Sequence, residues 1–208
     1  LVNISVVSWL YKDKMDFLEL VSTRQSDRAF DPDRPVERKK IERILEAARL
    51  APSACNAQPW HMIVIDDPEL KNRVADATSA RALGMNHFTK QAPVHILLVE
   101  ERVNLTSGIG GWVKQKDYAQ MDLGILAAHI TLAAHAEELG SCILGWFNET
   151  KMRELLSIPD NKRVWLDIAI GYSRQPLRSK KRKALQEVVS YNGYKHKWEP
   201  LTDTERSE

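Results

Sequence analysis

The segment from Lys116 to Leu139 constrains the fold more than any other part of the chain, because it reads as one long helix, rich in Ala and Leu and apolar on most of its circumference. A helix of that kind has to be covered on nearly all sides. In a chain of 208 residues it therefore belongs in the core, with any remaining face available to a second subunit. It does not read as a membrane span: Met121 to Ala136 carries Asp122, His129 and His135 and falls short of the roughly 20 apolar residues that cross a bilayer. Gly140 stands where a helix C-terminal glycine belongs. His129 and His135 are expected to pack or hydrogen-bond rather than to act as ligands.

The other periodic segments supply the cover. Phe17, Leu18 and Val21 share one face of a short helix ending near Ser22, and a polar loop or extended segment runs from Thr23 to Arg34. Pro35 sits where the next helix would begin, and Ile41, Ile44, Leu45 and Ala48 form its buried stripe, closed by Pro52. Asp67 and Pro68 open a further helix as N-cap and first residue, and Asn148 caps one over Glu149 to Ser157. Strand-like runs occur at His61 to Asp66, Val94 to Val99, Ser141 to Phe147 and Val164 to Ile170. In the last, Val164, Leu166, Ile168 and Ile170 alternate onto one face. Strands separated by helices imply an α+β fold, a sheet flanked by helices.

The length suits a single domain, expected over residues 15–194, with 1–14 as an N-terminal extension and 195–208 as a polar tail. Residues 102–116, around Gly108, Gly110 and Gly111, lack a period and are expected as a loop. Thirty basic against 28 acidic residues leave too little net charge to imply a polyanionic partner, so no nucleic acid is expected. Cys55 and Cys142 form no CxxC pair or His/Cys cluster, which argues against a structural metal and fits a reducing, cytoplasmic setting. The apolar start of the chain lacks the basic region and cleavage site of a signal peptide.

Three segments could carry chemistry. Arg24, Ser26 and Arg28 offer two guanidinium forks and a hydroxyl, a clamp for phosphate or carboxylate or else a solvated loop. Ala51 to Trp60, APSACNAQPW, joins a helix to a strand and holds Ser53, Asn56 and Gln58 among two prolines and small alanines. Such a stiff loop suits a flat heteroaromatic ligand with carbonyls and ring nitrogens along its edge, although Ser53 and Asn56 are also ordinary turn residues. The basic run Arg174 to Lys183 has no interleaved aromatics, which favours a phosphate contact for one or two of its residues over a nucleic-acid patch. Cys55 is expected as a small filler, and Trp112 either faces substrate as a lid or packs.

Together these segments resemble the FMN-binding nitroreductase family from about Met15 to Tyr194. Arg24, Ser26, Arg28 and Phe30 match its opening motif, and Ala51, Pro52, Ser53, Asn56, Gln58, Pro59 and Trp60 match its second, longer and more specific one. The strand after the long helix, Ile143-Leu144-Gly145-Trp146, and the late pair Lys180 and Arg182 complete the pattern. The resemblance implies FMN as cofactor. Arg24, Gln25, Ser26, Arg28, Lys180 and Arg182 would hold its phosphate end. Pro52, Ser53, Ala54, Asn56 and Gln58 would face the ribityl chain and ring, with the backbone of Leu144 and Gly145 against the ring. Gln25 departs from the Arg or His usual after the first arginine. The resemblance further implies an intertwined homodimer with a mixed or antiparallel sheet, and a C-terminal arm reaching across the partner. NADH or NADPH would donate hydride and a nitroaromatic or quinone-like acceptor would take the electrons in a ping-pong cycle. No catalytic side chain is obligatory, because the flavin carries the redox chemistry. Flavin-fragmenting or reductive-dehalogenating relatives, or a non-catalytic FMN-binding protein, are the other readings of the same motifs.

Overall fold

Four apolar runs pair into one sheet: β1 (Trp60–Ile65), β2 (Val94–Glu100), β3 (Gly140–Leu144) and β4 (Val164–Gly171), in the order β1-β2-β4-β3. The computed structural model describes residues 16–79, 84–101 and 117–196. The expected extension over 1–14, the loop 102–116 with Trp112, and the tail beyond residue 196 lie outside the described residues. All three described pairings are antiparallel. Trp60 pairs with Glu100 and Val99 with Val164 at one end of the sheet, and Val94 pairs with Ile170 and Gly140 with Gly171 at the other.

Strict alternation along β4 fails at one residue. Leu98 pairs with Leu166 but Val99 pairs with Val164, so Trp165 is the extra residue of a bulge, and a bulge reverses the faces on which side chains fall to either side of it. Val164 accordingly packs with Leu97 and Val99, whereas Leu166, Ile168 and Ile170 pack with Ile96 and Leu98.

Helices lie on both faces. On one, α2 (Arg38–Arg49) presents Ile41, Ile44 and Ala48, and the long α4 (Tyr118–Ala136) presents Leu123, Leu126, Ala127, Ile130 and Ala134. On the other, α3 (Pro68–Thr78) and α5 (Glu149–Leu156) cover Leu97, Val99 and Val164 with Val74, Ala77 and Met152. Leu126 and Ile130 have no exposed surface, and truncating such a side chain to Ala costs about 2–5 kcal/mol. The short α1 is Phe17–Thr23.

The caps follow the sequence where a side chain is free to cap. Asp67 accepts from the Leu70 N–H at 2.7 Å and Asn148 from the Lys151 N–H at 3.0 Å. α2 starts at Arg38 rather than at Pro35, and its N-cap Glu37 makes no capping bond because its carboxylate accepts from the Tyr172 hydroxyl at 2.6 Å. That bond, with backbone hydrogen bonding, holds the Glu37 carboxyl below its ordinary pKa. Gly140 is not the glycine that ends α4. The left-handed residue there is Glu138, at φ 62°, while Gly140 is the first residue of β3 and lacks a side chain for a steric reason. A Cβ would lie 2.7 Å from Asp27 Oδ2 and 3.0 Å from Ser173 Cβ.

The chain divides into two compact units, residues 1–177 and 178–208. The described part of the second, 178–196, was expected as an extended arm and contains one helical turn, α6 (Leu185–Val188), where Glu187 Oε1 accepts from the Ala184 N–H at 2.9 Å.

Candidate functional site

The Arg24–Phe30 segment runs extended along the start of β3 and the residues after β4. Ser26 bridges Ser141 in parallel and Phe30 bridges Ser173 antiparallel. Asp27 is buried: its backbone N–H donates to the Ser141 carbonyl, and its Oδ1 accepts from Ser173 Oγ at 2.6 Å and Gln25 Nε2 at 3.0 Å. The Gln25 amide also donates to the Pro176 carbonyl at 3.2 Å, so it is spent on the fold rather than extended outward. One member of the basic run, Arg174, likewise serves the fold by pairing with Asp31 at 2.7 Å. Arg28 is exposed, with its N–H tied to Gln175 Oε1.

The Ala51–Trp60 loop contains a 3-10 turn, Ala54–Asn56, and three non-glycine residues at positive φ: Cys55 (52°), Asn56 (52°) and Gln58 (48°). Backbone of this kind costs about 1–3 kcal/mol per residue and is kept where the surroundings enforce it. Here Ser53 Oγ accepts from the Gln58 N–H at 3.0 Å, and Gln58 Nε2 donates to the Asn56 carbonyl at 3.2 Å. The turn role is thus filled by Ser53, whose hydroxyl proton is still available to donate. The enforcing residue is Asp122, buried on α4, whose two carboxylate oxygens lie 3.1 and 3.2 Å from the Ala54 nitrogen. Sequence reading missed Asp122 as a site residue, although a carboxylate in an apolar helical stripe is a signal that could have found it. Pro52, Cys55, Asn56 and Gln58 are exposed.

These two segments do not meet within one chain. The loop is fastened to Asp122 near the start of α4, while Thr23 Oγ1, beside Arg24, bonds His135 Nε2 at 2.8 Å near its end. Thirteen residues of helix separate the anchors, about 20 Å at 1.5 Å per residue. The sheet repeats the separation: Trp60 follows the loop at one corner, and Ser141 meets Ser26 at the diagonal corner. The Arg24–Phe30 segment and the Ala51–Trp60 loop therefore lie at opposite ends of α4 within one chain.

A cavity of about 510 Å³ lies beside the Arg24–Phe30 segment, lined by Arg28, Asn86, His87, Phe88 and Gln91 among others. Asn86 is left-handed (φ 58°) and immediately precedes the 3-10 turn His87–Gln91, without a side-chain capping bond. Its Nδ2 donates to the Thr78 carbonyl at 3.1 Å and the Trp146 carbonyl at 3.4 Å, which links the cavity wall to the stretch after β3. Asn86 carried no sequence signal beyond the tolerance of asparagine for left-handed backbone. Leu144 is buried in the core with Phe30 and Cys142, so only its backbone is available to a ligand. Gly145 is exposed, and a Cβ there would meet nothing nearer than Leu166 Cδ2 at 4.0 Å. The chain itself gives no steric reason for glycine at this position, unlike Gly140. Trp146 beside it is 54% exposed.

Lys180 and Arg182 belong to the second unit, where Arg182 is exposed and donates to the Lys181 carbonyl at 2.9 Å. Cys55 is exposed and Cys142 buried, both as free thiols. His129 Nδ1 lies 2.9 Å from the Ile125 carbonyl, so both helix histidines hydrogen-bond as expected. Among the described residues, no group of three or more His, Cys, Asp or Glu could hold a metal, and no helix is long and apolar enough to cross a membrane.

A helix-flanked antiparallel sheet, with the arginine-bearing Arg24–Phe30 segment at one corner and the strained Ala51–Trp60 loop at the other, defines an α+β fold. The nitroreductase family profile matches residues 21–172. A protein of Methanothermobacter thermautotrophicus named for NADH dehydrogenase or NAD(P)H nitroreductase activity is 33% identical over 163 residues, 76% of this chain and 78% of its own. The solved structure of an FMN-dependent nitroreductase from Clostridium difficile superposes with a TM-score of 0.69 at 27% identity, covering 86% of this chain and all of that one. Iodotyrosine deiodinase of Drosophila melanogaster is 26% identical over 178 residues, 75% of this chain and 62% of its own. The chain belongs to the nitroreductase family, a class of oxidoreductase enzymes.

Proposed function

We propose that the protein is an FMN-dependent oxidoreductase that uses NADH or NADPH to reduce a small aromatic or quinone-like acceptor, and that it works as a homodimer. The observation that carries this reading is the cavity bounded by Arg28 and Asn86, linked through the Trp146 carbonyl to the unexplained glycine at 145. The donor set fits a phosphorylated flavin. Arg24, Ser26 and Arg28 supply charge and a hydroxyl for the phosphate end. Asn86, with its amide N–H groups used internally, offers Oδ1 as an acceptor to a ring N–H. Absence of a side chain at Gly145 lets the backbone just after β3 approach a flat ring closely.

A second copy explains how the Arg24–Phe30 segment and the Ala51–Trp60 loop meet as two half-sites. Met121, Gly124, Ile125 and Ala128 form an exposed apolar stripe along α4, with spacing that puts them on one face. Two copies packed α4 against α4 about a twofold axis near Ala128 bring the Ser53–Asn56 loop of one beside the Arg24–Ser26 segment of the other. Asn56, Ser53 and the loop amides then complete the partner's flavin site, and Asp122 keeps the loop in the shape that presents them.

When bound, FMN supplies the redox chemistry, accepting hydride from the nicotinamide and delivering electrons to the acceptor in alternation. The chain binds, orients and shields. The absence of a dinucleotide fingerprint fits a nicotinamide that occupies the same open face as the acceptor. Purified protein should be yellow, bleach with NADH or NADPH without oxygen, and recover colour with a nitroaromatic or quinone. A colourless protein that takes up no added FMN would overturn the reading. Similarity to a deiodinase favours one second reading, reductive dehalogenation, which predicts that a halotyrosine restores the colour better than a nitroaromatic does.

A further inference from the structure

His95 and Asp167 sit at the centre of the sheet, on β2 and β4, both with no exposed surface. His95 Nδ1 lies 2.8 Å from Asp167 Oδ2, and His95 Nε2 lies 3.1 Å from the Thr89 carbonyl. Both ring nitrogens face acceptors, an arrangement that only the imidazolium satisfies as a double donor. Burial opposes that charge. The Asp167 charge and hydrogen bond and the Thr89 carbonyl outweigh it, so the His95 pKa is raised despite the nearby Lys71. Stability does not account for such a pair: apolar residues in its place are often neutral or stabilising, and Asp167 Oδ1 is buried without a partner.

What the imidazole grips is the turn that forms the cavity wall. Thr89 lies in the middle of the His87–Gln91 turn, its hydroxyl donating to the Asn86 carbonyl at 2.8 Å and accepting from Thr78 Oγ1 at 2.9 Å. Asn86 begins the turn, and Gln91 ends it by accepting the Phe30 N–H at 3.0 Å. We propose that His95, clamped by Asp167, is a positioning residue for the flavin site: it fixes the Thr89 carbonyl and thereby the turn that presents Asn86 beside Arg28. This inference rests on the reading of the protein as a flavoenzyme.

The test uses the full-length protein with FMN removed and added back. Parent protein that binds no FMN would overturn the flavin reading itself, and this inference with it. In the double variant His95→Leu/Asp167→Leu, thermal stability should be retained, amide exchange over residues 86–91 should quicken, and FMN affinity should fall about tenfold. A folded double variant with parental FMN affinity and parental exchange would overturn the positioning role while leaving the flavin reading intact. Should the double variant fail to fold, the isosteric Asp167→Asn decides. Parent FMN affinity should weaken as pH rises and His95 loses its proton, with Asp167 on β4 and Lys71 on α3 the charged groups facing it. In Asp167→Asn that fall should move to lower pH. A profile that does not move would overturn the proposal.

Discussion

Asp122, buried on the largely apolar helix α4, accepts the backbone N–H of Ala54 with both carboxylate oxygens in reach, at 3.1 and 3.2 Å. One charge thereby fastens a loop in which Cys55, Asn56 and Gln58 all adopt left-handed backbone. Removing it in Asp122→Ala leaves a part-buried N–H unsatisfied, at a cost of about 1–3 kcal/mol, and frees the loop to relax. Chemical denaturation should show that loss, and FMN titration should show weaker binding. Asp122→Asn, which keeps one acceptor, should lose less of both. Parental values in Asp122→Ala would contradict the anchoring role.

Much of this fold is legible in the sequence because it rests on local periodicity. The four strands and the helices capped by Asp67 and Asn148 form within a few residues of their expected bounds. Features that were not legible depend on contacts far apart in the chain. The bulge at Trp165 arises from the pairing with β2. Glu37 gives up its cap to Tyr172, 135 residues away. The motif residues Arg24, Ser26, Asn56 and Gln58 were recognisable as residue types, but their separation along α4 was not, because spacing in sequence says nothing about which end of a helix a loop is tied to.

Two glycines should respond in opposite ways to a small side chain. Gly140→Ala places a Cβ within 2.7 Å of Asp27 Oδ2 and should destabilise by about 1–3 kcal/mol, as overpacking does. A Cβ at 145 meets no protein atom closer than 4.0 Å, so Gly145→Val should leave thermal stability within about 0.5 kcal/mol of the parent while lowering FMN affinity. Equal FMN affinity in Gly145→Val and parent would show that the open space at 145 is not ligand space.

His95 makes stability depend on pH with a definite sign. Its pKa is raised in the folded state: burial pulls it down, but the Asp167 charge and hydrogen bond and the Thr89 carbonyl more than compensate. The folded state therefore binds the proton more tightly than the unfolded chain does. The stabilisation is complete below the unfolded value of about 6.5 and is lost as pH rises through the raised folded value. Thermal midpoints measured across that window should fall for the parent and stay level for His95→Leu/Asp167→Leu. A parallel fall in both would assign the dependence to other groups.

The proposal that two copies share each flavin site is tested most directly by mixing two defective copies, each damaged in one half only. Arg24→Ala/Arg28→Ala removes the phosphate half-site, and Asn56→Ala/Asp122→Ala damages the loop half-site. Each variant alone should purify with little FMN. In a dimer containing one copy of each, one site combines both defects while the other combines two intact halves. The account predicts that the purified mixed dimer regains FMN in half of its sites, with matching NAD(P)H oxidation. A mixed dimer as empty as either parent variant would place both halves in the same chain and contradict the account.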